Sequence, residues 1–360
     1  MGYTRIEKLH IFLDLFEGLD YEKKRKLLSL YANPLDVLSN FSKDKSIETI
    51  LDKVYNKVKI CFSSEFINSA IDGYEKTGIK IVTIDSDQYP EKLKRLYKPP
   101  FILYCKGDVG LLKSRCISIV GSRNISSKAK ETTRYFAKEL AGAKLTIVSG
   151  MARGADTAAH KGALDANGKT IAVLAGGFNE IYPVENYGLF EEICKTGLVI
   201  SENRPNTPNL PHMFLIRNRI VAGLSDGVLV TYANLSSGTQ STVEYALEMG
   251  SDLFILPGEV NSKESMGSNL MLKATSGALV TQPEDILSIF GIEYVRPDIK
   301  VEIDEKDKVV LDILGLDEMH FSDIIKNTKM STAQLNTLLL KMELKGLVEK
   351  LPGNFFKASV

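Results

Sequence analysis

CISIVGSRNISSKAKETTRYFAKELAGAKLTIVSGMARGADTAAH, residues 116–160, is the stretch whose reading decides the fold. It holds two short apolar runs, 117–120 and 145–148, and glycine halts each of them. Gly121-Ser122-Arg123 follows the first, and Ser149-Gly150 the second, with Arg153-Gly154 just beyond. Short apolar runs bounded by glycine suit strands covered on both faces, as in a parallel sheet. Between them, residues 127–141 place Ala129, Thr133, Phe136, Ala137 and Leu140 on one helical face. Strand, glycine turn, helix and strand make a βαβ unit. Its turns leave the sheet at the carboxyl edge, where open α/β folds bind ligands. Main-chain N–H groups at a helix start, reinforced by arginine, suit an anion such as phosphate.

The alternation continues outward. Strands are predicted at 170–174, 198–201, 227–231, 252–256 and 278–281, and helices at 184–196, 213–224, 239–249, 269–274 and 284–290. This order implies an α/β fold with a doubly wound parallel sheet. Right-handed crossovers then gather the strand-end loops along one rim. Those loops carry Ser122, Arg123, Arg153, Gly176, Gly177, Ser237, Gly238 and Thr239, and helix 213–224 adds Phe214, Arg217, Asn218 and Arg219. Arg219 is expected to sit nearer the turn than Arg217. One glycine turn is common in any α/β protein, and a lone arginine is usually a surface ion pair. Several such turns with arginines favour a phosphate site. Asp156 and His160 stand four apart on the helix opened by Gly154, but no further His or carboxylate completes a metal set. They are read as a pair that fixes the loop above, and no metal or cofactor is expected. The opening turn is not G-x-G-x-x-G, which disfavours NAD.

The flanks differ. Residues 1–80 look helical, with Leu9, Phe12, Leu13 and Phe16 on one apolar face and Leu27, Leu28, Leu30 and Tyr31 on another. Their charges are mixed, which suits a packing module. Residues 80–84 read as a strand and 101–104 as another after Pro99-Pro100, so the sheet domain is placed at 81–292. Residues 293–305, polar and holding Pro297, read as a linker. In 306–360, helices at 308–314 and 321–328, a third capped by Ser331 and ended by Gly346, and strands at 347–351 and 354–358 predict a winged helix. Its third helix carries only Lys341 and Lys345 as bases, which leaves protein contact and weak DNA binding both open.

With 360 residues, 44% apolar, the chain is long enough for two or three domains. Its 45 basic and 45 acidic residues argue against nucleic-acid binding by bulk charge, though not against a local basic groove. Cys61, Cys105, Cys116 and Cys194 are scattered, as suits buried thiols in a reducing cytosol. The start MGYTRIEKLH lacks a secretory pattern, and no apolar run spans a bilayer, so a cytoplasmic protein is expected.

Segments standing here as YPEKLKRLYKPPFILYCKG, IVGSRNIS, IVSGMARGADTAAHKGAL, TIAVLAGGFNEIYPVENYGLF, FLIRNRIVAGLSDGVLV and LFILPGEV occur in one order. With them the chain resembles the DNA-processing protein A (DprA/Smf) family of bacteria over nearly its whole length. The resemblance implies a helical front, an extended Rossmann-like core and a winged-helix tail. It implies binding and protection of incoming single-stranded DNA in natural transformation, help in loading the RecA recombinase, dimerisation through the core, and no catalytic step. Matched to the family's binding motifs, Gly121, Ser122 and Arg123 form the phosphate-gripping turn. Gly150, Arg153 and Gly154 form a second, followed by Asp156 and His160. Arg217, Asn218 and Arg219 line the pocket, with Ser237-Gly238 beside them. Phe178 and Phe214 are candidate stacking rings, and core packing is the commoner role for either.

Two rival classes share the fold: a LOG-like nucleotide phosphoribohydrolase and a nucleotide sensor. The LOG motif G-G-x-G-T-x-x-E ends in a working carboxylate. Here Thr242 takes that place, and Glu244 stands two residues on, on another helical face.

Overall fold

The computed structural model describes residues 2–61, 63–235, 237–293, 303–315, 317–328, 330–345 and 347–358. Most of the expected linker, 293–305, and the helix end expected at Gly346 lie outside them. The chain divides into two compact units, Met1–Tyr294 and Val295–Val360.

The larger unit opens with α1 (Arg5–Asp14), α2 (Tyr21–Leu28), α3 (Asp36–Asn40), α4 (Lys45–Leu51), α5 (Tyr55–Ile60) and α6 (Ser64–Lys76). Thr4 and Glu7 cap each other's backbone N–H at the start of α1. Leu9, Phe12, Leu13, Phe16 and Leu27 then meet in one core, along the periodicity read from sequence. The chain breaks between α4 and α5 at Asp52, whose φ of 50° cannot continue a right-handed helix.

The sheet strands are β1 (Lys80–Thr83), β2 (Ile102–Gly107), β3 (Cys116–Val120), β4 (Thr146–Ser149), β5 (Thr170–Val173), β6 (Leu198–Ser201), β7 (Gly227–Val230), β8 (Asp252–Ile255) and β9 (Ala278–Leu279). Their connecting helices are α7 (Ser127–Gly142), α8 (Ala155–Asp165), α9 (Tyr187–Thr196), α10 (Pro211–Gly223), α11 (Thr239–Glu248) and α12 (Met266–Ala274), and α13 (Pro283–Ile289) follows β9. Among the described residues these strands form one sheet in the order β1-β2-β6-β5-β4-β3-β7-β8-β9. From β6 to β9 every pairing is parallel, as the alternation predicts. The edge is not: β2 runs antiparallel to β6, and β1 antiparallel to β2. A strand's direction depends on its pairing partner, and its own apolar run carries no mark of it.

From β3 the chain winds one way to β6, then crosses over to β7 on the other flank of β3. The β3–β7 boundary, with Ile117 opposite Gly227 and Val120 opposite Val230, is therefore the switch point where loops diverge and leave a crevice. On one face, α7 buries Ala129, Thr133, Phe136, Ala137 and Leu140. Full burial of a side chain such as Phe136 or Leu140 is worth about 1.5–3 kcal/mol. At the antiparallel edge, Ile11 of α1 and Ile71 of α6 share a core with Ile81, Ile102 and Tyr104. The Tyr104 hydroxyl donates to Asp14 Oδ2 at 2.7 Å.

The smaller unit holds α14 (Glu305–Leu314), β10 (Met319–His320), α15 (Phe321–Thr328), α16 (Thr332–Leu344), β11 (Val348–Leu351) and β12 (Phe355–Ala358). Ser331 and Gln334 form a capping box at α16. The strands pair in the order β10-β12-β11, and Val310, Ile324, Leu335, Leu339 and Phe356 fill the core. This is the predicted winged helix. Among the described residues no helix is long and apolar enough to cross a membrane.

Candidate nucleic-acid interface

A cleft of about 370 Å³ opens at the switch point between β3 and β7. Gly121, Ser122, Arg123, Gly150, Asp156, Phe214, Arg217, Asn218, Ser237, Gly238 and Thr239 all line it. The β3 turn is tied to the β7 loop: Ser122 N–H donates to Tyr232 O at 2.7 Å, and Asn234 N–H donates to Ser122 Oγ at 3.0 Å. The N-terminus of α11, with no acidic residue in its first turn, brings Gly238 and Thr239 to the same cleft.

Arg217 forms the floor. It is 5% exposed, and its Nη1 donates to the carbonyls of Gly150 and Val173 at the ends of β4 and β5. A Cβ on Gly150 would stand 2.5 Å from the guanidinium, so only glycine allows this approach. Burial lowers the Arg217 pKa to about 10 and Arg123 pushes the same way, while Asp156 opposes both. The group stays charged at neutral pH. Asp156 accepts the N–H groups of Gly150 and Ala152 at 3.1 and 3.2 Å. Burial raises its pKa, with Arg217 and these N–H groups opposing. The second turn therefore holds an internal carboxylate, which takes the Gly150 and Ala152 amides.

Arg123 is exposed at the mouth, its guanidinium 5.1 Å from the Phe214 ring centroid. It makes no ion pair among the described residues. Arg153 lies beside it in an adjoining depression of about 170 Å³ that also takes in Tyr182 and Phe214. Arg153 is exposed and paired with Glu185, a contact worth little in water.

Other expected site residues lie elsewhere. Arg219 does not face the cleft. It stands two positions, about 200° of helix, from Arg217, and pairs with Glu202 in a different cavity. Arg217, three residues after Phe214, is the one that shares its face. Gly154 supports the turn from beneath. Its φ is 73°, and a Cβ there would meet the carbonyls of Ser122 and Arg123 at 2.4 Å. Gly176 and Gly177 bind the segment above them, donating to Asn209 Oδ1 at 3.1 Å and Thr207 O at 2.8 Å. Phe178 is core. His160 is fully buried, with Nδ1 2.7 Å from Thr170 Oγ1, which itself donates to Ile147 O. It pairs with Thr170 and not with Asp156.

Burial, with a smaller push from Arg217, lowers the His160 pKa to about 3. The folded chain keeps this ring neutral while the unfolded chain protonates it near 6.5. The resulting stability is full above pH 6.5 and is lost as the pH falls toward 3, at about 1.4 kcal/mol per unit. Between pH 7.5 and pH 5, urea unfolding should show the stability of the wild-type chain falling about 2 kcal/mol relative to His160→Gln. A pH-independent difference between the two proteins would refute this.

Sequence reading missed Asn124, Tyr182, Asn234 and Thr242, all in the cleft or the depression. Asn234 had a signal, since it follows β7 as Ser122 follows β3. Thr242 faces the cleft, while Glu244 bonds Gln240 Nε2 at 3.1 Å outside it. Among the described residues Asp156 is the only carboxylate in the lining.

Residues 80–291 match the family described as DNA recombination-mediator protein A, and residues 296–354 match the DprA winged helix domain. The chain belongs to this DprA family. Protein Smf of Escherichia coli (strain K12) is 34% identical over 309 residues, 83% of this chain and 82% of its own. The X-ray structure of DprA from Streptococcus pneumoniae is similar at a TM-score of 0.66 and 31% identity, over 82% of this chain and 100% of that one. DprA of Helicobacter pylori, whose structure was described for its single-stranded DNA binding mode, is similar at a TM-score of 0.54 and 32% identity. That match covers 60% of this chain and 98% of the other.

Proposed function

We propose that this chain binds single-stranded DNA in the switch-point cleft, holding phosphates without reading bases. It protects incoming strands during natural transformation and helps load RecA recombinase, acting as a homodimer through the Rossmann-like domain. The observation that carries the DNA reading is the geometry of Arg123. Its guanidinium makes no ion pair among the described residues and stands at the mouth of a cleft that the start of α11 also lines, beside an aromatic face. A cation, a helix N-terminus and a ring suit a phosphate followed by a base. The likeness to the Helicobacter pylori protein supports it. The RecA and dimer roles rest on the family resemblance.

Fluorescence anisotropy with labelled single- and double-stranded oligonucleotides, beside a sizing measurement, tests the proposal. Expected are tighter binding of the single strand, log K falling linearly with log salt, and a dimer on sizing. Equal affinity for duplex, or none for either form, would overturn the DNA reading.

A further inference from the structure

A second cavity of about 830 Å³ is bordered by α2, residues 95–102, α10 and α11. It shares α10 with the cleft: Leu215 lines the cleft and Ile216 the cavity, and both are exposed. Its wall is aromatic, with Tyr21 and Phe101 stacked at 4.9 Å. Its rim is aromatic and charged, with Arg95 and Lys98 on one side and the exposed Glu248 of α11 also in the lining. Tyr97 is 89% exposed, and Lys98 Nζ lies 5.7 and 5.8 Å from the centroids of Tyr21 and Tyr97.

The charges divide by depth. At the floor each carboxylate is matched, Asp14 by Lys24 at 2.5 Å and Glu202 by Arg219. This floor is neutral and rich in donors and acceptors, which suits the polar edge of a base better than a bare phosphate. At the rim Arg95 is exposed and makes no ion pair among the described residues. Among the described residues Lys98 forms one ion pair, with Glu22 at 3.0 Å, a half-exposed pair that a phosphate can displace at little cost.

We propose that this cavity is a second single-strand contact, taking a base of the same strand whose phosphates lie in the cleft. Tyr97 is its stacking platform, and Arg95 and Lys98 hold the adjoining phosphates. The inference rests on the DNA reading given under Proposed function. To reach both places the strand must cross α10, a body about 10–12 Å wide. A dinucleotide is too short to occupy both.

The chain contains no tryptophan, so Tyr97→Trp installs a single reporter at an exposed position of the full-length protein. Oligothymidylate of twelve nucleotides should quench that fluorescence, and 5′-phosphorylated dT2, bound in the cleft alone, should not. Tyr97→Ala and Arg95→Glu should each weaken the twelve-mer about tenfold, the loss of one stacked base or one phosphate contact. Neither should change dT2 binding, measured by competition. Unquenched fluorescence in the twelve-mer complex, unchanged twelve-mer affinity in both variants, or equal losses for the two lengths would each overturn this inference and leave the cleft reading standing. Failure of the wild-type chain to bind either oligonucleotide would remove both.

Discussion

Replacing Arg217 with methionine will lower the stability of the larger unit by about 3–5 kcal/mol at neutral pH, the cost of removing one partner from a buried charged cluster. The guanidinium joins the ends of β4 and β5 through the carbonyls of Gly150 and Val173, and its charge favours the ionised form of the buried Asp156. Methionine fills much of the space but donates nothing. Two carbonyls and a carboxylate then stay buried with less compensation. The loss has a pH signature. Asp156, already raised above 3.8 by burial, rises further without its cation. A raised carboxylate takes up its proton in the folded chain first, so folding gains on acidification and loses as the pH rises through the folded pKa. The deficit in Arg217→Met should therefore be larger at pH 7.5 than at pH 5 in urea unfolding. A pH-independent deficit, or a loss under 1 kcal/mol, would remove Asp156 and Arg217 from a common cluster.

Arg123→Ala will weaken single-strand binding by about 1.5–3 kcal/mol, roughly 10- to 100-fold, the worth of one charge-assisted contact. Arg123→Glu will weaken it more, because the new carboxylate repels the phosphate. Both will act alike on strands of any base sequence and will reduce the salt slope by about one. Arg123 is exposed and makes no ion pair among the described residues, so its removal leaves no buried group unpaired. Thermal melting should be unchanged. Titration of oligonucleotides of differing composition across a salt series gives both quantities. An unchanged slope in a folded Arg123→Ala protein would move the phosphate away from this turn.

The sheet was legible because its signal is local. The 117–120 and 145–148 runs, the face carried by Ala129, Phe136 and Leu140, and the glycine stops each report on neighbours in the chain. They placed β3, α7, β4 and the cleft turn at Gly121-Ser122-Arg123 where the structure has them. Side-chain direction on α10 was not legible. Both arginines flank Asn218, and only the packing of Phe214 and Val221 against the cleft shows that Arg217 turns inward while Arg219 meets Glu202. Gly176-Gly177 misled for a similar reason. They end a strand as Gly121 does, but β5 lies two strands from β3, and the 204–209 segment covers its end. The antiparallel edge was invisible because it depends on which partner β2 meets.

The core at that edge bears on how the protein can vary. Ile11 and Ile71 from the front lie against Ile81, Ile102 and Tyr104 from the sheet, with Tyr104 bonded across to Asp14. A chain severed near residue 80 would turn those side chains out to water. Exchange of the front for a foreign one therefore calls for a matching apolar face on the incoming piece.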